Sequence, residues 1–340
     1  MLAIKCDSPA TVSVASFSDV VRLLPLFRPA SPWDSGAVLF RSLDGKLWPY
    51  QPGSPLQTTW IDIMYARPGS GKSVLSNAIN LGLCLQAGLA RLPRISIIDI
   101  GPSSSGLISL LQEALPEDQR HLAAYHRLQM TPDYAINPFD TQLGCRYPLP
   151  QERSFLVNFV TLLTTPINAE TTYDGMSDMV GLVVDEAYKA THDSGNPNTY
   201  NKGVDEMIDA VLNDISFVSD DKTTWWEVVD ALFMAGFKKE AQLAQRNAVP
   251  LLNDLTSIAR TPAVEDLYGN ITISTGESLI ASFVRLISSA IREYPILSRF
   301  TRFDIGSARV VSLDLDEVAK TGGDAADRQT AVMYMLARFV

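Results

Sequence analysis

Cysteine and histidine are scarce in this 340-residue chain, at three of each. Cys6, Cys84 and Cys145 stand far apart and are odd in number, which argues against a disulfide framework and fits a reducing compartment. Adding His121, His126 and His192 produces no spacing at which a structural zinc site is assembled. Long apolar runs are missing as well. No stretch reaches the ~18 uninterrupted apolar residues of a membrane span, and residues 1–19 lack a basic segment leading into an apolar one, so no signal peptide is read. Positive charge is in deficit: 28 Lys and Arg against 38 Asp and Glu give a net charge of −10. That balance disfavours a protein that coats nucleic acid through many phosphate contacts. The expectation is a cytoplasmic chain that reaches a membrane only through a partner there.

Apolar residue types make up 46% of the chain and charged ones 19%, which is ample material for a core and leaves little room for long disorder. The length suits two ordinary domains, or one large domain with an insertion. Residues 1–57 are turn-rich, and within them residues 37–41 and 46–50 flank Ser42-Leu43-Asp44-Gly45, a pattern that predicts a β-hairpin. Residues 59–65 (Thr-Trp-Ile-Asp-Ile-Met-Tyr) form a short apolar run between Pro/Gly signals, and predict a buried strand. Helical spacing follows over 72–86, and residues 94–100 (Arg-Ile-Ser-Ile-Ile-Asp-Ile) predict a second buried strand. Strand, helix, strand is a βαβ unit of a parallel sheet. From 151 to about 297 the pattern becomes helical, over 152–163, 177–191, 204–218, 224–237, 242–258 and 278–291. Strand signals return at 301–304 and 309–315, and a last helix is expected over 326–340.

Between the first strand and its helix stands Ala66-Arg67-Pro68-Gly69-Ser70-Gly71-Lys72-Ser73, the phosphate-binding loop pattern with Ala in place of its first Gly. Gly69 and Gly71 permit backbone conformations in which successive N–H groups point at phosphate. Lys72 supplies a positive charge to the β- and γ-phosphates, and the Ser73 hydroxyl is the expected Mg²⁺ ligand. The helix N-terminus adds its partial charge beside Val74. The cofactor-binding set is therefore residues 66–74, and the ligands are ATP and Mg²⁺.

Hydrolysis further needs carboxylates at the end of a neighbouring strand. Asp99 ends the second strand but opens into Gly101-Pro-Ser-Ser-Ser-Gly106. Asp185-Glu186 follow Leu182-Val-Val, yet Ser177 reads as an N-cap and Met179, Leu182, Val183, Glu186 and Ala187 share one helical face, so this run predicts a helix. The run Val310-Val-Ser-Leu-Asp314-Leu-Asp-Glu317 is a strand ending in carboxylates. On residues alone it assigns Asp314 to the metal and Glu317 to catalysis, beside Lys72.

The runs ARPGSGKSVLSNAINLGLCL, RISIIDIGPSSSGLISLL, MTPDYAINPFDTQLGCRYPLPQERSFLVNF and SARVVSLDLDEVA together resemble the IcmB/DotO (TraU-like) ATPases of type IVB Dot/Icm secretion and IncI conjugation systems, and more distantly VirB-type conjugative ATPases. The resemblance implies an α/β, RecA-like P-loop sheet with a large all-α insertion. Residues 1–57 would be a hairpin extension, 58–150 and 298–340 the nucleotide-binding core, and 151–297 the insertion. It also implies a homo-hexamer working with other components of the apparatus at the cytoplasmic face of the inner membrane. Lys72 and Ser73 carry over as nucleotide ligands, and Asn137-Pro138-Phe139 matches a segment just before the insertion. In the family a further strand after the late helix bears the main magnesium and water carboxylates. Here the expectation is a chain truncated before that strand, with Asp314 and Glu317 displaced from the principal role and hydrolysis weak or absent. Two other readings stay open: a DNA translocase, which the net charge disfavours, and a non-hydrolysing module that nucleotide merely stabilises.

Arg299 and Arg302 are candidates for a trans-acting arginine, with Arg260 an equal competitor and a solvated loop charge the plainer alternative. Trp225 and Trp226 offer an exposed partner patch as one reading, but at helical spacing with Val229, Leu232 and Phe233 at least one of them reads as core, and Cys84 on the apolar face of the 72–86 helix reads as a small buried hydrophobe. His121 and His126 fall between predicted elements and read as ordinary packing or surface residues.

Overall fold

A computed structural model describes residues 14–23, 31–42, 45–167, 169 and 171–339. Cys6, most of the expected 1–57 extension before Ser31, and Leu43-Asp44 at the hairpin tip lie outside the described residues. Two compact units divide the chain, residues 1–93 and 94–340.

In the first unit, helix α1 (Phe17–Leu23) precedes the expected hairpin, β1 (Val38–Arg41) paired antiparallel with β2 (Leu47–Tyr50). The Ser42 hydroxyl accepts from the Lys46 N–H and Gly45 takes a left-handed φ of 85°, which closes the turn. Its packing is aromatic: Trp33 meets Trp48 and Tyr50 edge-on, and Trp48 stacks on Tyr50. Helix α2 (Lys72–Cys84) packs on β1. Cys84 is half-buried, and that burial raises its thiol pKa. The strand predicted over 59–65 is not formed. No described strand pairs with it, and its apolar side chains are exposed, 82% for Ile63 and 91% for Tyr65. Tyr50 donates to Asp62 at 2.7 Å. An apolar run signals burial, but a strand exists only where a neighbour supplies the hydrogen-bond ladder.

The second unit is built on a three-stranded parallel sheet ordered β3 (Ile95–Asp99), β5 (Val310–Asp314), β4 (Ala123–Arg127). All five residues of β5 are buried, as expected of a central parallel strand covered on both faces. Helix α3 (Ser105–Ala114) packs on β4 and β5, and α12 (Asp324–Phe339) packs on β3 and α4 (Pro150–Leu163). Strand β4 corrects the expectation that His126 lies between elements and places it in the sheet. Residues 301–304, predicted as a strand, run without a ladder; the Arg302 and Phe303 N–H groups both point to the Ala135 carbonyl.

Between β4 and β5 come α4, α5 (Met176–Thr191), α6 (Glu206–Asp214), α7 (Trp225–Met234), α8 (Lys238–Gln245), α9 (Leu255–Ile258), α10 (Pro262–Tyr268) and α11 (Leu279–Glu293). Local chemistry starts them. Pro150 and Pro262 stand at first-turn positions, Asp205 and Ser278 cap with their side chains, and Thr224 forms a capping box with Glu227. Two expectations fail here. Gly175, left-handed at φ 75°, is the N-cap of α5 in place of Ser177. The single helix over 242–258 is broken into α8, a 3-10 turn and α9, because Pro250 disfavours helix at Val249 and cannot donate.

These helices contribute to two hydrophobic cores. Leu156, Phe159, Val183, Leu255 and Phe283 join Val311, Leu313, Met333 and Leu336 in the larger one. Ile208, Trp225, Trp226, Val229, Leu232 and Ala244 form the smaller one from α6, α7 and α8. No described helix is long and apolar enough to cross a membrane.

Candidate functional site

Two regions concentrate the residues singled out by sequence, one in each unit. In residues 1–93, the chain turns at Pro68-Gly69, where the Ser70 N–H and hydroxyl both donate to the Arg67 carbonyl, at 3.2 and 2.6 Å. Gly69 and Gly71 take φ of 78° and 90°, a region that L side chains rarely enter, and nothing lies within 4 Å of where a Cβ would stand on either. Gly71 is the N-cap of α2, and the first helical bond runs from the Leu75 N–H to the Gly71 carbonyl. The N–H groups before Leu75 at this helix start therefore have no intrahelical acceptor. Residues 66–74 are exposed throughout. Among the described residues the Lys72 ammonium has no hydrogen bond or ion pair. This is an open anion cradle: free backbone donors, a helix N-terminus without an acidic residue in its first turn, a free cation and the adjacent Ser73 hydroxyl. Those groups fit a phosphate chain with Mg²⁺.

In residues 94–340, parallel register sets Asp99 and Arg127 on either side of Asp314 at the C-terminal end of the sheet. Asp314 is buried and fully employed. Its Oδ1 accepts from the Gly101 and Asp316 N–H groups, both at 2.9 Å, and its Oδ2 accepts from the Tyr125 hydroxyl at 2.6 Å. Burial pushes this carboxyl up, but those donors and Arg127 outweigh it and hold the pKa below the ordinary value. The Tyr125 hydroxyl is pushed up to about 12, by burial first and then by its bond to Asp314. Arg127 collects the rest: its Nη2 donates to Asp316 at 2.7 Å, and its Nε lies 3.3 Å from Glu317 and 3.7 Å from Asp314. Asp99 accepts from Ser103 and from the Ile100 N–H, and Ser104 bonds Ser312 across to β5. The Gly101–Ser105 connection is thus tied at both carboxylates. Among the described residues no group of His, Cys, Asp and Glu is arranged to hold a metal ion.

The fold is similar to that of VirB4. With the structure of VirB4 of Thermoanaerobacter pseudethanolicus the chain shares 15% identity at a TM-score of 0.53, over 90% of this chain and 63% of that one. The chain thus spans less than two thirds of that protein's length. The likeness is one of α/β fold. No family model matches the sequence, and no curated protein matches it.

The remaining candidates separate by environment. Asp185 lies on helix α5, as read from the sequence, and pairs with Arg153 through two bonds of 2.6 and 2.7 Å. Asn137 anchors its turn: its side chain donates to the Pro250 carbonyl and accepts from the Phe139 N–H, while its own N–H donates to Thr301. Arg260, Arg299 and Arg302 are exposed, and Arg302 lies 3.6 Å from Asp133. Both tryptophans are core, with the Trp226 indole donating to the Thr191 carbonyl at 2.8 Å. His126 packs edge-on against Phe303, and burial lowers its pKa against the pull of Asp304. Sequence reasoning missed Tyr125 and Arg127, which organise the carboxylate end of the sheet. Ala123-Ala-Tyr-His-Arg127 has no β-branched residue, so the strand carries almost no propensity signal.

Proposed function

We propose that this chain is the nucleotide-binding core of a type IV secretion or conjugation ATPase of the IcmB/DotO kind, and that it binds ATP and Mg²⁺ through residues 66–74. The observation that carries this is the cradle itself: left-handed Gly69 and Gly71 leading into the N-terminus of α2, with a free Lys72. The fold likeness to VirB4 and the resemblance to type IVB ATPases support it. In this reading Lys72 neutralises the β- and γ-phosphates, Ser73 holds Mg²⁺, and the orphan N–H groups orient the phosphate chain. When bound there, Mg²⁺ would supply charge neutralisation of the phosphate chain. Residues 58–150 and 298–340 would form the RecA-like core and 151–297 the helical insertion. Assembly would be a homo-hexamer, with inner-membrane and cytoplasmic partners converting hydrolysis into substrate transfer.

The engagement of Asp314, Asp316 and Glu317 with Tyr125, Gly101 and Arg127 favours binding without efficient turnover by this chain alone. We assign Asp314 to positioning the Gly101 connection; a metal role would require it to surrender three hydrogen bonds. Glu317 remains the candidate for catalysis, held by Arg127 until it is released.

Equilibrium binding of labelled ATP with Mg²⁺, and turnover, checks both statements. The expected outcome is binding that Lys72→Ala weakens at least 10-fold, with turnover near background. Equal binding by Lys72→Ala would sink the nucleotide reading. Turnover that survives Glu317→Gln would remove Glu317, and tight, salt-sensitive binding of duplex DNA would restore the translocase reading.

A further inference from the structure

Within residues 94–340 a second feature lies at the end of the sheet opposite Asp99 and Asp314. A cavity of about 710 Å³ opens there between Arg94, which precedes β3, the 301–307 segment that leads to β5, and helix α8. Its volume is that of a small-molecule site. Three cations line it, and three acids. Two of the acids have intramolecular work. Glu152 accepts from the Leu149 N–H at the start of α4, and Asp304 accepts from the Gly306 N–H. Asp140 is buried beside Thr301 and Arg246, its Oδ1 has no hydrogen-bond partner among the described residues, and burial pushes its pKa up to about 6, so that it is the acid that gives up its charge most readily. The cations are under-used. Among the described residues the Arg94 and Lys239 side chains have no hydrogen bond or ion pair, and the Arg246 side chain has one ion pair, at 3.6 Å to Asp304.

We infer that this cavity binds a small organic anion, bearing a phosphate or carboxylate group, through Arg94, Lys239 and Arg246. Guanidinium forks favour oxyanions with two parallel acceptors, and Lys239 adds a mobile point charge at the rim. Because Lys239 and Arg246 belong to the α8 end of the smaller core and Arg94 to the sheet, an occupant bridges the two cores. No residue of the cradle at 66–74 lines it.

The test uses the full chain carrying Lys72→Ala, so that the cradle does not report. Calorimetric titration with pyrophosphate and with citrate is expected to show saturable binding of at least one, weakened 10-fold or more by Arg94→Gln with Lys239→Gln. Both side chains are exposed, so the fold should survive, as circular dichroism checks. The charge-keeping pair Arg94→Lys with Lys239→Arg should retain most of the affinity. Binding of pyrophosphate alone assigns the phosphate class, and of citrate alone the carboxylate class. If neither binds, or if the Gln pair binds as tightly as its parent, the inference is wrong.

Discussion

Asp140 follows directly on the anchored Asn137-Pro138-Phe139 turn, and its carboxyl group is carried to a place where charge is poorly solvated. Burial raises its pKa to about 6, against the Thr301 hydroxyl and Arg246, which favour the ionised form. The folded chain therefore holds this proton more tightly than the unfolded chain does. Below the ordinary Asp range both states are protonated and the group is neutral to stability. Between that range and about pH 6 folding retains a proton that the unfolded chain has lost, and above pH 6 the ionised carboxylate carries its full penalty. Asp140→Asn keeps an acceptor for Thr301 and removes the charge. Urea midpoints should rise for this variant at pH 8 by the equivalent of roughly 1–3 kcal/mol, with the difference fading toward pH 4. A gain that is equal at both pH values would exclude ionisation as its cause. Asp314 is the contrasting residue, since its donors outweigh burial and hold it ionised. The two differ in hydrogen-bond supply, which depends on β4 and the Gly101 connection and is invisible in the sequence.

Helix α2 shows how one element depends on the absence of a single methyl group. A Cβ on Gly82 would lie 2.5 Å from the Val38 side chain and 2.8 Å from the Ala37 carbonyl oxygen. The Val38 rotamer can give way, but the backbone carbonyl cannot without moving the hairpin. Gly82→Ala gains about 1 kcal/mol of helix propensity and loses more by overpacking, a net cost of roughly 1–3 kcal/mol. On α3, Gly106 has nothing within 4 Å and an ordinary φ. The same substitution there should be neutral or stabilising by up to about 1 kcal/mol. Opposite signs in hydrogen exchange of the β1–β2 and α3 amides check the pair; two effects of one sign would mean that propensity alone governs both. Elements with strong local signals are legible from sequence. The β-branched runs predict β3 and β5, helical spacing predicts α2, α5 and α11, and turn chemistry predicts the hairpin. Others are not legible. Residues 59–65 are as apolar as β3 yet form no ladder, 301–304 spend their N–H groups on Ala135, and β4 has the pairing without the composition. Pairing is a property of neighbours, and it decides all three.

At the scale of the second unit, two cores share one run of chain between β4 and β5. The smaller has few large side chains, and Trp226 is its main one: fully buried, donating to Thr191 on α5, with the Arg146 guanidinium 4.5 Å from its ring centroid. Arg146 in turn pairs with Asp193 and Asp230, and Gln245 on α8 bonds Thr141, Gln142 and Gly144. The junction between the cores is thus polar and built from a handful of directional bonds, whereas each core is apolar within itself. Contacts of that kind make separate cooperative units, because losing one core removes only the junction from the other. Trp226→Ala should cost about 3–5 kcal/mol within the smaller core, comparable to the whole stability of a module of three short helices. Amides of Val228, Leu232 and Ala241 are then expected to lose most of their exchange protection, while those of Val311 and Leu313 on β5 keep theirs. Equal loss on β5 would show that the two cores unfold as one. A Trp226→Phe variant, which keeps most of the volume but not the bond to Thr191, should lose only part of that protection, since filling the core stabilises this module more than the single indole hydrogen bond does.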